Sequence, residues 1–351
     1  MIDNKHAIAV IGCGGMGGRH AEALDEFDRV TLAGIADPDP ARRKFAGERG
    51  FKFYESAGDI FADRDVDSVL IATPNHIHME LAIAAMRAGK HVICEKPVTP
   101  TSAELEKIIA VSKETGKVFY PRQNRRWDKD YLIIKRIYDQ GLVGKVFNIE
   151  SRVLGSRGIP GDWRGRKEFG GGMMLDWGVH LLDRLLIMVP EKVTRVFCAL
   201  TNVTNKEVDD GFKLHMTYES GLTAVVEVGT CHFIKLPLWL IAGEQGTASI
   251  KDWSNEGSIF RLVSWEDRDA LPIDAGEGLT KTMAPRFENS VEEVPLPDVE
   301  YDKLELYRNF VDVTEGKAAQ IVTPEQALRV LRLMEAAFLS AETHSVIEFE
   351  K

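Results

Sequence analysis

The stretch that most constrains this fold is residues 7–37, AIAVIGCGGMGGRHAEALDEFDRVTLAGIAD. Residues 7–11 are a short apolar run of the kind that forms a buried parallel strand. Gly12-Cys13-Gly14-Gly15-Met16-Gly17 follows at once and fits G-x-G-x-x-G. Residues 19–27 read as a helix, and residues 30–36 as a second apolar strand ending in Asp37. Each part has a task in holding a dinucleotide. Gly12 permits the tight turn off the strand, Gly14 lets backbone approach a pyrophosphate, and Gly17 lets the helix pack close to the sheet. Free N–H groups at the helix start attract phosphate. Asp37 stands where an acid can accept hydrogen bonds from the adenosine ribose. A bare glycine motif is weak evidence. Strand, glycines, helix, second strand and terminal acid in one register carry the reading, whereas a ligand-free strand–helix turn has no need of Asp37.

Asp37 also bears on the choice of cofactor. An acid there repels the 2′-phosphate of NADP, and the next residue is Pro38 rather than Arg or Ser, so NAD is favoured. Arg42 and Arg43 lie downstream and would serve NADP if they bent back.

After Asp37 the alternation continues, with strands expected at residues 51–54, 67–72, 91–94 and 118–120. Helices are expected at 41–49, 56–62, 79–88 and from Thr101 or Ser102 to 115. This is a doubly wound parallel sheet, whose ligands lie outside the carboxyl ends of its strands. The glycine loop, Asp37, Thr73-Pro74-Asn75-His76-Ile77-His78 and Glu95-Lys96-Pro97 are strand-end segments expected to converge on one crevice.

From residue 122 the pattern changes. A helix is expected at 130–140, a strand at 144–154, a Gly- and Arg-rich loop at 155–172 and a helix at 173–189. Consecutive strands at 193–201, 212–218, 222–228, 238–243 and 247–253 imply a large, mostly antiparallel open sheet. Residues 266–300 read as irregular, and two helices close the chain at 303–315 and 324–342. The second of these has Thr323 as N-cap, Pro324 next and Gln326 completing a capping box. The expected division is a Rossmann α/β domain at 1–121 and an α+β domain at 122–351, the latter with one sheet face free for a second subunit.

The chain of 351 residues is long enough for two domains, and its charge of −10 argues against a nucleic-acid or membrane surface. Cys13, Cys94, Cys198 and Cys231 match no zinc pattern, and neither a signal peptide nor a membrane span is evident. A soluble cytoplasmic globular protein is expected.

Several side chains can carry chemistry. Lys96, at a strand end beside the nicotinamide side of the crevice, suits general acid–base work; a surface lysine in a turn is the plainer reading. Asp176 and His180 are four apart on a helix after Gly170-Gly171-Gly172, with Asp183 one turn further. They can grip a substrate hydroxyl, the carboxylate can orient the imidazole, or, with Asp183, they can ligate a metal. A structural acid and histidine remain the alternative. His76 and His78, two apart, could ligate a metal, but the Thr-Pro-Asn before them suggests a cofactor-facing turn. Gln123-Asn124-Arg125-Arg126-Trp127 offers donors to a hydroxyl-rich ligand or across a domain junction. Trp163 and Arg164 can pack on nicotinamide or staple their loop.

Together these residues resemble the glucose–fructose oxidoreductase / inositol dehydrogenase / MocA family, through GCGGMG, Asp37, TPNHIH, AGKHVICEKPV, QNRRWD, DWR and GGGMMLDWGVHLLD in that order. The resemblance runs to about residue 190 and continues in pattern only. It implies Lys96 as catalytic lysine, with Glu95 near the nicotinamide ribose and Pro97 in a cis peptide. Asp176 and His180 become the substrate-facing pair, His180 the acid/base group, and Asp183 a structural residue. Cofactor contacts are implied for Gly12, Gly14, Gly15, Met16, Gly17, Asp37, Thr73, Pro74, Asn75, His78, Glu95, Lys96, Trp163 and Arg164. Substrate contacts are implied for Lys96, Asn124, Arg125, Trp163, Asp176 and His180, with no metal. The implied reaction is hydride transfer between NAD and a ring hydroxyl of an inositol, sugar or glycoside, with a 3-keto sugar as one outcome. Two other classes stand beside it: a redox-neutral enzyme that recycles a tightly bound NAD, and a non-catalytic NAD sensor. A homo-oligomer built from dimers, a tetramer or larger, is expected. The segment 278–286, GLTKTMAPR, has no usable counterpart.

Overall fold

Strand β1 (His6–Ile11) alternates between two buried layers: Ala7, Ala9 and Ile11 face one apolar cluster, Ile8 and Val10 the other. A strand covered on both faces belongs in the middle of a parallel sheet. The computed structural model, which describes residues 5–263, 277 and 290–350, places it there. β2 (Val30–Ala36), β3 (Phe53–Tyr54), β4 (Ser68–Ile71), β5 (His91–Cys94) and β6 (Phe119–Pro121) complete a six-stranded sheet in the order β3-β2-β1-β4-β5-β6. Every pairing in it is parallel. The order reverses between β1 and β4, which makes their carboxyl ends the place where a crevice opens. Helices α1 (Gly15–Glu26), α2 (Pro40–Arg49), α3 (Ala57–Ala62), α4 (His78–Arg87) and α5 (Ser102–Thr115) provide the crossovers.

After α6 (Lys129–Asp139) the chain builds a second sheet. Its strands are β7 (Val146–Leu154), β8 (Val193–Thr201), β9 (Gly211–Tyr218), β10 (Thr223–Gly229), β11 (Trp239–Gly243), β12 (Gly246–Ile250), β13 (Gly257–Leu262), β14 (Val291–Pro295) and β15 (Ile347–Glu348). They lie in the order β14-β13-β12-β11-β7-β10-β9-β8-β15, antiparallel except where β10 meets β7. Helices α7 (Val179–Met188) and α9 (Pro324–Thr343) cover one face, and the capping box of Thr323 and Gln326 is present.

Three sequence expectations are corrected. Helix α1 starts at Gly15, four residues early, because the glycine run itself supplies its first turn. Residues 173–189 are not one α-helix. A wide π-helical turn spans Met174–Gly178 before α7, the kind of irregularity that often marks a functional site. Residues 266–300 are not irregular throughout, since β14 pairs along β13 at the sheet edge. Both strands expose much of their surface, so they lack the apolar alternation that announces a strand. The segment 278–286 lies outside the described residues.

Helix α8 (Glu305–Thr314) returns to the first sheet. Leu306, Tyr307 and Phe310 pack with Ile8, Val10, Leu70, Ile93 and Tyr120, and the Tyr120 hydroxyl donates to Asn309 Oδ1 at 2.7 Å. A buried fork of Arg126 to Asp183 (2.6 and 2.8 Å) ties α7 in turn to Gln326 at the start of α9. Breaking such a buried pair costs about 3–5 kcal/mol, so the Asp183 carboxylate is committed to holding α7 in place.

Candidate active site

The glycine loop has the shape a dinucleotide requires. Gly12 has φ +85°, and a Cβ there would stand 2.7 Å from the Ala72 carbonyl oxygen; a Cβ on Gly17 would stand 1.8 Å from that of Gly12. Both positions exclude any side chain. Gly14 and Gly15, by contrast, face open space, and exposed Met16 follows them. Helix α1 begins without a side-chain cap, so its first N–H groups remain available to an anion. Across the crevice, Thr73 Oγ1 is buried with no hydrogen-bond partner among the described residues, beside partly exposed Pro74. A cradle that only glycine backbone leaves open, with an orphaned hydroxyl opposite, fits a dinucleotide.

Asp37 stands at the end of β2 with Oδ2 accepting from the Cys13 N–H at 2.6 Å and Oδ1 from the Asp39 N–H at 2.8 Å. Its carboxylate thus reaches the glycine loop itself. Arg43 pairs with Glu55 and lies over the Phe53 ring at 4.6 Å, while Arg42 approaches Asp39 at 3.8 Å.

Two expected cofactor residues are turned inward. His78 is fully buried, its ring nitrogens 3.1 Å from the Pro97 and 2.8 Å from the Thr73 carbonyl oxygens. It fastens the turns after β4 and β5 to each other and does not face the crevice. Asn75, also buried, donates to the Gly170 carbonyl at 2.9 Å and so anchors the Gly-rich loop of the second sheet to the first.

Glu95 likewise points into the protein. Its Oε1 accepts from His20 Nε2 at 2.7 Å and Arg122 at 2.9 Å, and its Oε2 from the Lys96 N–H at 3.0 Å. A carboxylate only accepts, so His20 carries its proton on Nε2 and accepts at Nδ1 from the Tyr307 hydroxyl, 2.7 Å away. Burial opposes the Glu95 charge, but Arg122 and His20 outweigh it and hold the carboxyl well below its ordinary range. His20, Arg122 and Tyr307 were missed in the sequence. They come from three distant elements, and no local spacing announces them.

Lys96, next to this network and joined to Pro97 by a cis peptide, is the pivot between the two sheets. Its Nζ donates to Asp176 Oδ1 at 2.7 Å and to the Asp176 carbonyl at 2.8 Å. Arg164 Nε donates to the other Asp176 oxygen at 3.1 Å, with its guanidinium over the Trp163 ring at 4.6 Å. Burial would raise the Asp176 carboxyl, but the Lys96 and Arg164 cations override it and keep it ionised. Both carboxylate oxygens are therefore occupied by cations, and Asp176 does not orient His180 as its helical spacing suggested. The π turn removes the α-helical register on which that expectation rests.

His180 is 4% exposed, and its Nδ1 has no hydrogen-bond partner among the described residues. Burial, then Lys96 and Arg125, push its pKa well below the usual histidine value, so the imidazole is neutral. Trp177 meets it edge-on at 6.1 Å between centroids, and Arg125 lies 4.4 Å over the Trp177 ring. Asn124 opens the same short turn as Arg125. A cavity of about 390 Å³ reaches Trp177 and Asp176, lined besides by Met173, the end of β7 and residues 228–230. Among the described residues no three His, Cys, Asp or Glu side chains gather as for a metal ion; Asp183 is bound by Arg126 instead.

Residues 6–123 match the family model described as "Oxidoreductase family, NAD-binding Rossmann fold", and residues 131–249 match the GFO/IDH/MocA C-terminal domain. The chain belongs to the GFO/IDH/MocA oxidoreductase family. Like other GFO/IDH/MocA proteins it is an NAD(P)-binding oxidoreductase, a parallel sheet joined to a mostly antiparallel one. It is 38% identical to the uncharacterized oxidoreductase YdgJ of Escherichia coli K12 over 82% of each chain. It is 27% identical to scyllo-inositol 2-dehydrogenase (NADP(+)) IolW of Bacillus subtilis, covering 94% of this chain and 92% of that one. The crystal structure of an NAD-binding protein from Listeria innocua matches with a TM-score of 0.88 and 44% identity over 98% and 97% of the two chains. Among the described residues no helix is long and apolar enough to cross a membrane.

Proposed function

We propose that this chain catalyses reversible hydride transfer between a nicotinamide cofactor, NAD in preference to NADP, and a secondary ring hydroxyl of a cyclic polyol, sugar or glycoside. One observation carries the reading: Lys96, from the end of β5, grips Asp176 at the wall of a cavity, and the same lysine helps to keep the buried His180 imidazole neutral. Relatives named for scyllo-inositol, myo-inositol and 1,5-anhydro-D-fructose support the substrate class.

Bound nicotinamide supplies the hydride acceptor, or the donor in reverse. Oxidation breaks the carbinol C–H bond with its electron pair, and the hydroxyl proton must leave as the carbonyl forms. His180, kept neutral by burial and by the cations around it, receives that proton. The Lys96 ammonium donates to the reacting oxygen and stabilises negative charge developing on it. Asp176 fixes Lys96 and, with Arg164 and Arg125, gathers donors and acceptors for neighbouring hydroxyls. Glu95 acts from behind, holding the Lys96 backbone. In reduction the same groups return the proton.

The Asp37 carboxylate at the glycine loop would lie against a 2′-phosphate, while Arg43 is held by Glu55 and Phe53; this supports NAD. We place subunit assembly on the face of the larger sheet turned away from α7 and α9, where Phe197 and Phe260 stand exposed, in a cytoplasmic protein.

The test is NADH absorbance with NAD or NADP and a panel of inositols, aldoses and glycosides, with Lys96→Ala and His180→Ala alongside. Turnover with NAD, lost in both variants, supports the reading. Silence across the panel, with NAD recovered from denatured protein, points instead to a recycled cofactor.

A further inference from the structure

A second cavity, of about 300 Å³, opens beside the first at the same end of the larger sheet. Val153 and Leu154 of β7 form the sill between the two and line both. The connection after β10 borders both as well: Thr230 lines the first, Lys235, Leu236 and Leu238 the second. The far wall is Trp253, half exposed although it is a large apolar ring. Its ring lies 5.9 Å from that of Trp177, which lines the first cavity beside Asp176. Arg125 bridges them, its guanidinium 4.4 Å from the Trp177 centroid and 5.6 Å from that of Trp253.

We propose that this second cavity is a subsite for the distal ring of an extended substrate, so that the preferred substrate is a two-ring glycoside rather than a free inositol or monosaccharide. The proposal rests on the reaction assigned above and specifies its substrate. A pyranose or aryl ring has an apolar face bounded by a polar rim. Trp253, Leu236 and Leu238 offer the apolar wall, and Lys235 and Lys251 offer donors at the edge. The continuity of the walls selects the occupant. A ring seated at Asp176 directs its glycosidic substituent over the Val153–Leu154 sill, toward the half-exposed ring of Trp253, which Trp177 and Arg125 hold in place.

The test compares single rings (myo-inositol, D-glucose) with two-ring probes (phenyl β-D-glucoside, cellobiose) on wild type, Trp253→Ala and Trp253→Phe. In wild type the two-ring probes are expected to show the higher kcat/KM. Trp253→Ala lowers their kcat/KM by about tenfold, the size of a stacked aromatic contact, and leaves the single rings unchanged. Trp253→Phe restores most of the loss. Response of phenyl glucoside alone, or of cellobiose alone, identifies the distal ring as aryl or sugar. Equal losses on both kinds of probe, or none on either, overturn the subsite. A changed molecular mass in Trp253→Ala with unchanged selectivity overturns it in favour of a subunit contact. If no probe turns over, the assigned reaction fails separately, and calorimetry on NADH-loaded protein decides the subsite. Tighter binding of two-ring probes, weakened by Trp253→Ala, supports it; equal affinities overturn it.

Discussion

Lys96 Nζ sits 2.7 Å from Asp176 Oδ1, a contact that joins the end of β5 to the π turn across the boundary between the two sheets. Neither group is fully exposed: their side chains retain 17% and 12% of their surface. A largely buried ion pair with a second bond to the Asp176 carbonyl fixes the Lys96 Nζ in direction as well as in place. Lys96→Ala is expected to lower kcat/KM by at least ~100-fold, the scale of a lost acid–base or charge-stabilising group. NADH binding, followed by fluorescence, should persist because the glycine loop is untouched. Asp176→Asn leaves the lysine without its countercharge and should lower kcat and raise KM together. Activity within threefold of wild type in either variant would sink the assignment.

His180 makes a prediction with a sign. Its folded pKa is depressed by burial first and then by Lys96 and Arg125. The imidazole therefore stays unprotonated as pH falls through the ordinary histidine value, where an exposed base would already be lost. In the oxidation direction kcat/KM should be flat through that range, with its acid limb displaced to lower pH. Arg125→Met removes one of the cations and should move that limb upward. A limb at the ordinary histidine value that Arg125→Met does not move would assign the base elsewhere.

Asp37 predicts cofactor preference. Because its carboxylate is bonded to the Cys13 and Asp39 N–H groups, it is fixed in the glycine loop and cannot swing away from a 2′-phosphate. Asp37→Ser leaves one hydroxyl oxygen in place of the two carboxylate acceptors and removes the charge. The ratio of kcat/KM for NADP over NAD should rise by at least about tenfold, the scale set by relief of one close like-charge contact. The falsifying outcome is a ratio that does not move.

These residues also show how much of the site the sequence reveals. The roles of Gly12 and Gly17 were legible because they depend on backbone conformation a few residues away. Lys96 was legible as a strand-end residue of a doubly wound sheet, and Asp176 as a residue at the start of the helix that follows the glycine run. What each then touches was not. Helical spacing paired Asp176 with His180, but the local π turn and two long-range cations decided otherwise. His78 reads like a ligand-facing histidine, yet it is consumed by two carbonyls in closing the strand-end turns. The Glu95 network joins residues 20, 95, 122 and 307. Packing of α1 and α8 on the first sheet brings them together, and neither periodicity nor spacing encodes that.

Asp209 supplies the last prediction. It lies just before β9 and is 6% exposed; its Oδ2 accepts from the Met174 N–H at 2.7 Å and its carbonyl from the Met173 N–H at 3.0 Å. It thus caps the turn that carries Asp176. Burial raises its pKa from 3.8 to about 6, against the pull of those backbone donors. Between those two values the folded state keeps a proton that the unfolded chain has lost, so stability falls as pH rises across the window. Above it the cost is constant, about 3 kcal/mol at ~1.4 kcal/mol per pKa unit. Asp209→Asn cannot ionise and carries no such cost. Urea unfolding at about pH 4 and pH 7 should therefore show the variant gaining on wild type as pH rises, by up to that amount. A difference between the two proteins that is independent of pH would mean that Asp209 is ionised at its ordinary value and caps the turn as a plain carboxylate.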